Sequence, residues 1–143
     1  VSGWLLDTNV LSELRRPKPE PKVIQFISAQ SLDLLYVSVV TFAEIRFGIE
    51  LVTDVARRAE LNEWLEHKVR PMFEERVLDI TEDIMLKWRL LAEEGRKRGH
   101  TYGQPDLIIA ATALHHGLTI VSRDTREYEM ATVTVLNPWK TKP

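Results

Sequence analysis

The sequence predicts a three-layer α/β/α fold, with a central parallel sheet of about five strands flanked by helices. Three observations carry that expectation. Short aliphatic runs alternate with stretches of helical periodicity along the chain. Those runs lack the polar alternation of a half-exposed sheet, so they read as strands buried on both faces. Two of them, "WLLD" and "TIVSRD", end at an aspartate, where open α/β sheets place their ligands.

The elements follow in order. "WLLD" is a short buried strand, and "NVLSELRR" is a helix that ends before the proline-spaced turn "PKPEP". "PKVIQFISAQ" is an amphipathic helix opened by Pro21, and "DLLYVSVV" has the aliphatic and aromatic density of a strand. Helical spacing runs from Thr41 to about Val52 and from Asp54 to about Lys68, until "RPMFEER" breaks it. "RVLDI" is the third strand. A helix then starts at Thr81, carries Ile84, Leu86, Trp88, Leu90 and Leu91 as core candidates, and ends at Gly99. After the loop "HTYGQ", Pro105 and Gly117 bracket the helix "PDLIIAATALHHG", and the strands "LTIVSRD" and "VTVLN" follow. No internal repeat or low-complexity segment interrupts residues 1–143, which are expected to form a single domain.

Composition narrows the function classes. The absence of cysteine excludes a disulfide framework, thiolate catalysis and Cys-based zinc sites, and it suits a reducing cytoplasm. No run approaches the roughly 20 apolar residues of a membrane span, and Val1–Trp4 does not resemble a signal peptide. A soluble cytoplasmic protein with no membrane partner is expected. With 19 Lys and Arg against 21 Asp and Glu, the net charge of -2 does not grip nucleic acid in bulk, so any such contact must be local.

The acids carry the chemistry. Asp7 reads either as the cap of the following helix or as a ligand at the end of a strand. Asp124 stands at the equivalent place after "TIVS". Glu44 has Val40, Phe47, Gly48 and Leu51 as helical neighbours, opposite Arg46, and so interrupts an apolar stripe. Such an inward Glu is held by a buried salt bridge or by a metal. Asp106 lies in a first helical turn, as either a dipole-favoured acid or a ligand. Converging at one edge, these carboxylates would repel unless a cation neutralised them, and oxygen-only donors select Mg²⁺, with Mn²⁺ as a substitute.

Other groups contribute less. Adjacent His115 and His116 diverge by about 100° on a helix, which is poor geometry for a shared metal, and His67 and His100 stand alone. There is no phosphate-cradling glycine loop, nucleophile elbow or HExxH helix. Arg96, Lys97 and Arg98 complement a helix C-terminus or contact phosphate, with Arg46, Arg123 and Arg126 as further RNA-binding candidates.

The blocks "LLDTNVLSE", "VSVVTFAEIRFGIE", "PDLIIAATALHHGLTIVSRDTREYE" and "VLNPW" resemble, in that order, the PIN-domain ribonucleases, and among them the VapC and FitB-like toxins of type II toxin–antitoxin pairs. The resemblance spans nearly the whole chain. It implies a PIN-like fold in which Asp7, Glu44, Asp106 and Asp124 surround a metal, with Asp7, Asp106 and Asp124 as its ligands. Asn9 and Ser122 would assist, Ser122 keeping the hydroxyl of the more common Thr; Tyr128, where Phe is frequent, is expected to pack. It further implies a homodimer or a higher toxin–antitoxin assembly, RNA as substrate, and a cognate antitoxin whose segment fills the active-site groove.

The expected activity is therefore Mg²⁺-dependent hydrolysis of RNA by activated water, without a covalent enzyme intermediate. The alternative is a catalytically silent PIN scaffold that binds RNA or antitoxin. Aspartyl phosphatases want a second Asp where Asn9 stands, and a phospho-acceptor receiver domain needs an acidic pair that is not evident here.

Overall fold

Strand β1 (Trp4–Leu6) lies at the centre of the sheet: Leu5 and Leu6 point to opposite faces and both are fully buried. In the computed structural model, which describes residues 2–140, four further strands join it in one parallel sheet: β2 (Leu35–Ser38), β3 (Val77–Leu78), β4 (Thr119–Val121) and β5 (Val135–Leu136). The strand order is β3-β2-β1-β4-β5. The chain builds outward on one side of β1 and then crosses to the other, so the order reverses at β1 and β4. That reversal opens a crevice at the carboxyl edge.

Alternation along the strands splits the core in two. Leu6, Val37 and Val121 face helices α1 (Thr8–Leu14), α2 (Pro21–Ser28), α3 (Val39–Glu50), α4 (Val55–Trp64) and α5 (Arg70–Phe73). Leu5 and Ile120 face α6 (Glu82–Lys97), α7 (Gln104–His116) and α8 (Thr125–Met130). The expected sheet with helices on both faces is thus found.

Several boundaries differ from the sequence reading. The strand expected over "DLLYVSVV" stops at Ser38, whose hydroxyl accepts the Val40 N–H and starts α3 two residues early. "RPMFEER" does not end the preceding helix at once. A π-helical segment, Leu65–Val69, leads into α5 across Pro71, which has no N–H to donate, and the break falls at Glu74 with φ 46°. Helix α8 escaped the sequence reading because its six residues are too few to show a period. On α6, Ile84 and Leu91 are buried and Trp88 packs beside them, but Leu86 and Leu90 are 58% and 54% exposed. They lie about 200° and 240° around the helix from Ile84, on the side away from the sheet. At the end of α7, Gly117 takes the left-handed φ of 66° that turns the chain into β4.

Candidate active site

The register of β1 against β4 pairs Leu6 with Val121 and so brings Asp7 beside Ser122. The Asp7 N–H donates to the Val121 carbonyl at 3.0 Å, extending the ladder by one bond into the crevice. The Asp7 carboxylate is 4% exposed. Its Oδ1 accepts the Thr8 N–H at 2.8 Å, and its Oδ2 accepts the Ser122 hydroxyl at 2.8 Å and the Tyr128 hydroxyl at 2.9 Å. Asp7 is therefore the N-cap residue of α1 and also the centre of a polar cluster, so the two readings of it coexist. Glu13 shows what a purely structural buried acid looks like here: it accepts from Arg16 and from the Glu20 N–H, and so ties down the "PKPEP" turn.

Asn9 links the strand ends. Its amide donates to Ser122 Oγ at 3.1 Å and to Asp124 Oδ2 at 3.4 Å, while its carbonyl oxygen accepts the Arg123 N–H at 3.2 Å. Ser122 is fully buried and also accepts the Asp124 N–H at 2.9 Å. These contacts hold the exposed Asp124 at the mouth of the crevice.

Asp106 arrives from the first turn of α7, where Gly103 is the N-cap residue. Its Oδ1 lies 3.5 Å from the Tyr128 hydroxyl. Burial, then the charges of Asp7, Asp124 and Glu127, push its carboxyl from 3.8 up to about 6. Burial likewise raises Asp7, against the opposing pull of its Ser122, Tyr128 and Thr8 hydrogen bonds. The Tyr128 hydroxyl is pushed far upward by burial and by the carboxylates around it, so it stays protonated and donates.

Glu44 completes the cleft from α3. It is half-buried, and among the described residues it forms no ion pair. The stripe it was expected to interrupt is itself largely outside the core, with Phe47 and Leu51 62% and 65% exposed; the buried face of α3 is Thr41, Phe42, Ile45 and Ile49. Glu44 thus faces a cleft of about 530 Å³ that Asp7, Asn9, Asp106 and Asp124 also line.

Tyr128 is the residue the sequence reading underrated. It does pack, but its hydroxyl is part of the acid cluster. The available signal was a tyrosine four positions after Asp124, one helical turn on, which requires α8 to be foreseen. Glu127, whose charge acts on Asp106 and which bonds His100 at 3.2 Å, was missed for the same reason.

The arginine and lysine candidates sit elsewhere: Arg46, Arg96, Lys97, Arg98 and Arg123 do not line the cleft. Arg96 pairs with Glu93, Arg98 donates to the Tyr102 hydroxyl and the Met130 carbonyl, and Arg123 lies over the Trp139 ring at 4.9 Å. Arg15 and Arg57, the latter paired with Glu60 at 3.3 Å, line a groove that shares Thr8, Ser12 and Glu44 with the cleft.

Among the described residues, no group of three His, Cys, Asp or Glu side chains is placed to hold a metal ion by itself. Mg²⁺ does not need such a cage, since it keeps several waters and takes one or two carboxylates together with a substrate phosphate. The oxygen-only donors, and the charges by which Asp7 and Asp124 act on Asp106, fit a hard divalent cation of that kind.

Residues 4–133 match the PIN domain family. The chain belongs to that family. Its relatives include the plasmid stability protein StbB of Pseudomonas syringae pv. tomato, 41% identical over 95% of this chain and 98% of its own length. VapC ribonuclease Y4jK of Sinorhizobium fredii is 38% identical over 95% and 97%. Toxin FitB of Neisseria gonorrhoeae is 36% identical over 94% and 97%. Among solved structures, FitAcB from Neisseria gonorrhoeae superposes with a TM-score of 0.91 at 36% identity, covering 96% of this chain and 99% of that one.

Proposed function

We propose that this PIN-domain chain is a Mg²⁺-dependent endoribonuclease, the toxin of a type II toxin–antitoxin pair, acting in the cytoplasm. The observation that carries this reading is the convergence of Asp7, Glu44, Asp106 and Asp124, from four separate elements, on one cleft at the carboxyl edge of the sheet. Relatives named as a ribonuclease and as a toxin support it.

Asp7, Asp106 and Asp124 would hold the cation directly or through its waters, with Asp7 fixed by Ser122 and Tyr128, and Asp124 by Asn9. When bound, Mg²⁺ or Mn²⁺ would supply Lewis-acid help, easing ionisation of a water and neutralising charge on the leaving oxygen. Glu44 would orient the attacking water, whose oxygen bonds to phosphorus as the bond to the leaving oxygen breaks. Arg15 and Arg57 would hold RNA phosphates in the adjoining groove.

The exposed Phe47 and Ile80 line an apolar surface with Glu44 beside the cleft, a place for an apolar segment of an antitoxin. The apolar Leu86 and Leu90 of α6 would serve a homodimer or larger assembly. Among the described residues, no helix is long and apolar enough to cross a membrane.

The test is RNA cleavage by the purified chain with Mg²⁺, with chelator, and by Asp7→Ala, alongside end-mapping of cellular RNA after brief induction. The reading expects cleavage only by the unsubstituted chain with metal. Undiminished cutting in chelator or by folded Asp7→Ala overturns the mechanism. Tight RNA or antitoxin binding without turnover by the unsubstituted chain would make the protein a silent scaffold.

A further inference from the structure

The Tyr128 hydroxyl sits where two carboxylates meet. Its ring is buried to 1% exposure, and it donates to Asp7 Oδ2 at 2.9 Å with Asp106 Oδ1 3.5 Å away. Ser122 Oγ donates to that same Asp7 oxygen at 2.8 Å. A carboxylate oxygen offers two acceptor positions, so the two hydroxyls fill Oδ2. The Thr8 N–H takes one position of Oδ1, and the second is the acceptor site that Asp7 keeps uncommitted.

We propose that Tyr128 is a positioning residue that restricts Asp7 to holding a cation through one oxygen, and that it thereby makes the cleft select a small octahedral cation over Ca²⁺. The inference rests on the cation-binding reading of the cleft. Ca²⁺ takes about 6–8 oxygens and accepts both oxygens of one carboxylate, whereas Mg²⁺ and similar small ions take fewer donors in a stricter geometry. A saturated Oδ2 denies Ca²⁺ its second oxygen. Without the phenol oxygen, Asp7 gains an open position on Oδ2 and loses its link towards Asp106.

The test compares the full chain with Tyr128→Phe by Mn²⁺ titration, with Ca²⁺ as competitor and no RNA present, and with circular dichroism to check the fold. Loss of an outer hydrogen-bonding partner lowers metal affinity about 10–100-fold, so Mn²⁺ binding should weaken by about tenfold or more. Ca²⁺ should weaken less or strengthen, lowering the Mn²⁺ to Ca²⁺ affinity ratio about tenfold. General loosening of the site would weaken both ions alike, and an unchanged ratio in a folded variant overturns the proposal alone. Absence of divalent binding by the unsubstituted chain overturns the cation reading and this proposal together. If Tyr128→Phe does not fold, Ser122→Ala opens the other position on the same oxygen, and an unchanged ratio there is equally fatal.

Discussion

Replacing Asp106 by Asn should remove activity and raise stability at once. In the unfolded chain this carboxyl ionises near 3.8, and in the folded chain near 6, because burial and the charges of Asp7, Asp124 and Glu127 oppose its ionisation. The folded state therefore holds the proton more tightly, and stability falls as pH rises from about 4 through about 6. At about 1.4 kcal/mol for each tenfold change in acidity, the ionised carboxyl costs up to about 3 kcal/mol at neutral pH. Partial solvent screening trims this to about 1–2 kcal/mol. Asparagine keeps an acceptor for the Tyr128 hydroxyl but carries no charge. In chelator at pH 7.5, Asp106→Asn should melt about 4–10 °C higher than the unsubstituted chain, and the gain should vanish near pH 4, where both side chains are neutral. Thermal unfolding by circular dichroism across this range, with RNA cleavage assayed in parallel, measures both effects. A variant that melts lower at pH 7.5, or one whose gain is equal at both pH values, would refute the electrostatic reasoning.

Three further outcomes are expected. Asn9→Ala removes the amide that joins Ser122, Asp124 and the Arg123 backbone, so denaturant melts should show a loss of about 1–2 kcal/mol and single-turnover cleavage should slow at least about tenfold. Arg15→Ala combined with Arg57→Ala should weaken RNA binding and reduce its logarithmic salt slope by about 1.4, at about 0.7 per phosphate contact, whereas Arg96→Ala with Lys97→Ala should change neither in filter binding. Gly95→Ala places a Cβ 2.6 Å from the Tyr102 ring and 3.0 Å from the His100 carbonyl, so calorimetry should record a destabilisation of about 1–3 kcal/mol.

Much of the fold was legible because strands buried on both faces need nearly continuous apolar residues, as Trp4–Leu6 and Thr119–Val121 display. Periodicity was less informative where a helix has two apolar sides. On α6 the spacing could not say that Leu86 and Leu90 face away from the sheet, nor on α3 that Phe47 and Leu51 lie outside the core. Those outcomes depend on which side meets the sheet. Helix α8 had no period long enough to read, and with it went the placement of Glu127 and Tyr128.

By itself the sequence determined the alternation of strands and helices, the two aspartates at strand ends and the oxygen-only character of the candidate ligands. These are local properties, set by side-chain chemistry and by residues close along the chain. Only the tertiary structure decided that Asp7, Glu44, Asp106 and Asp124 share one cleft, that Arg96, Lys97 and Arg98 stand outside it, and that Tyr128 donates to Asp7 across 121 positions of sequence. The physical reason is the register of β1 against β4 and the docking of α7 and α8 on the sheet, which bring distant residues within hydrogen-bonding reach.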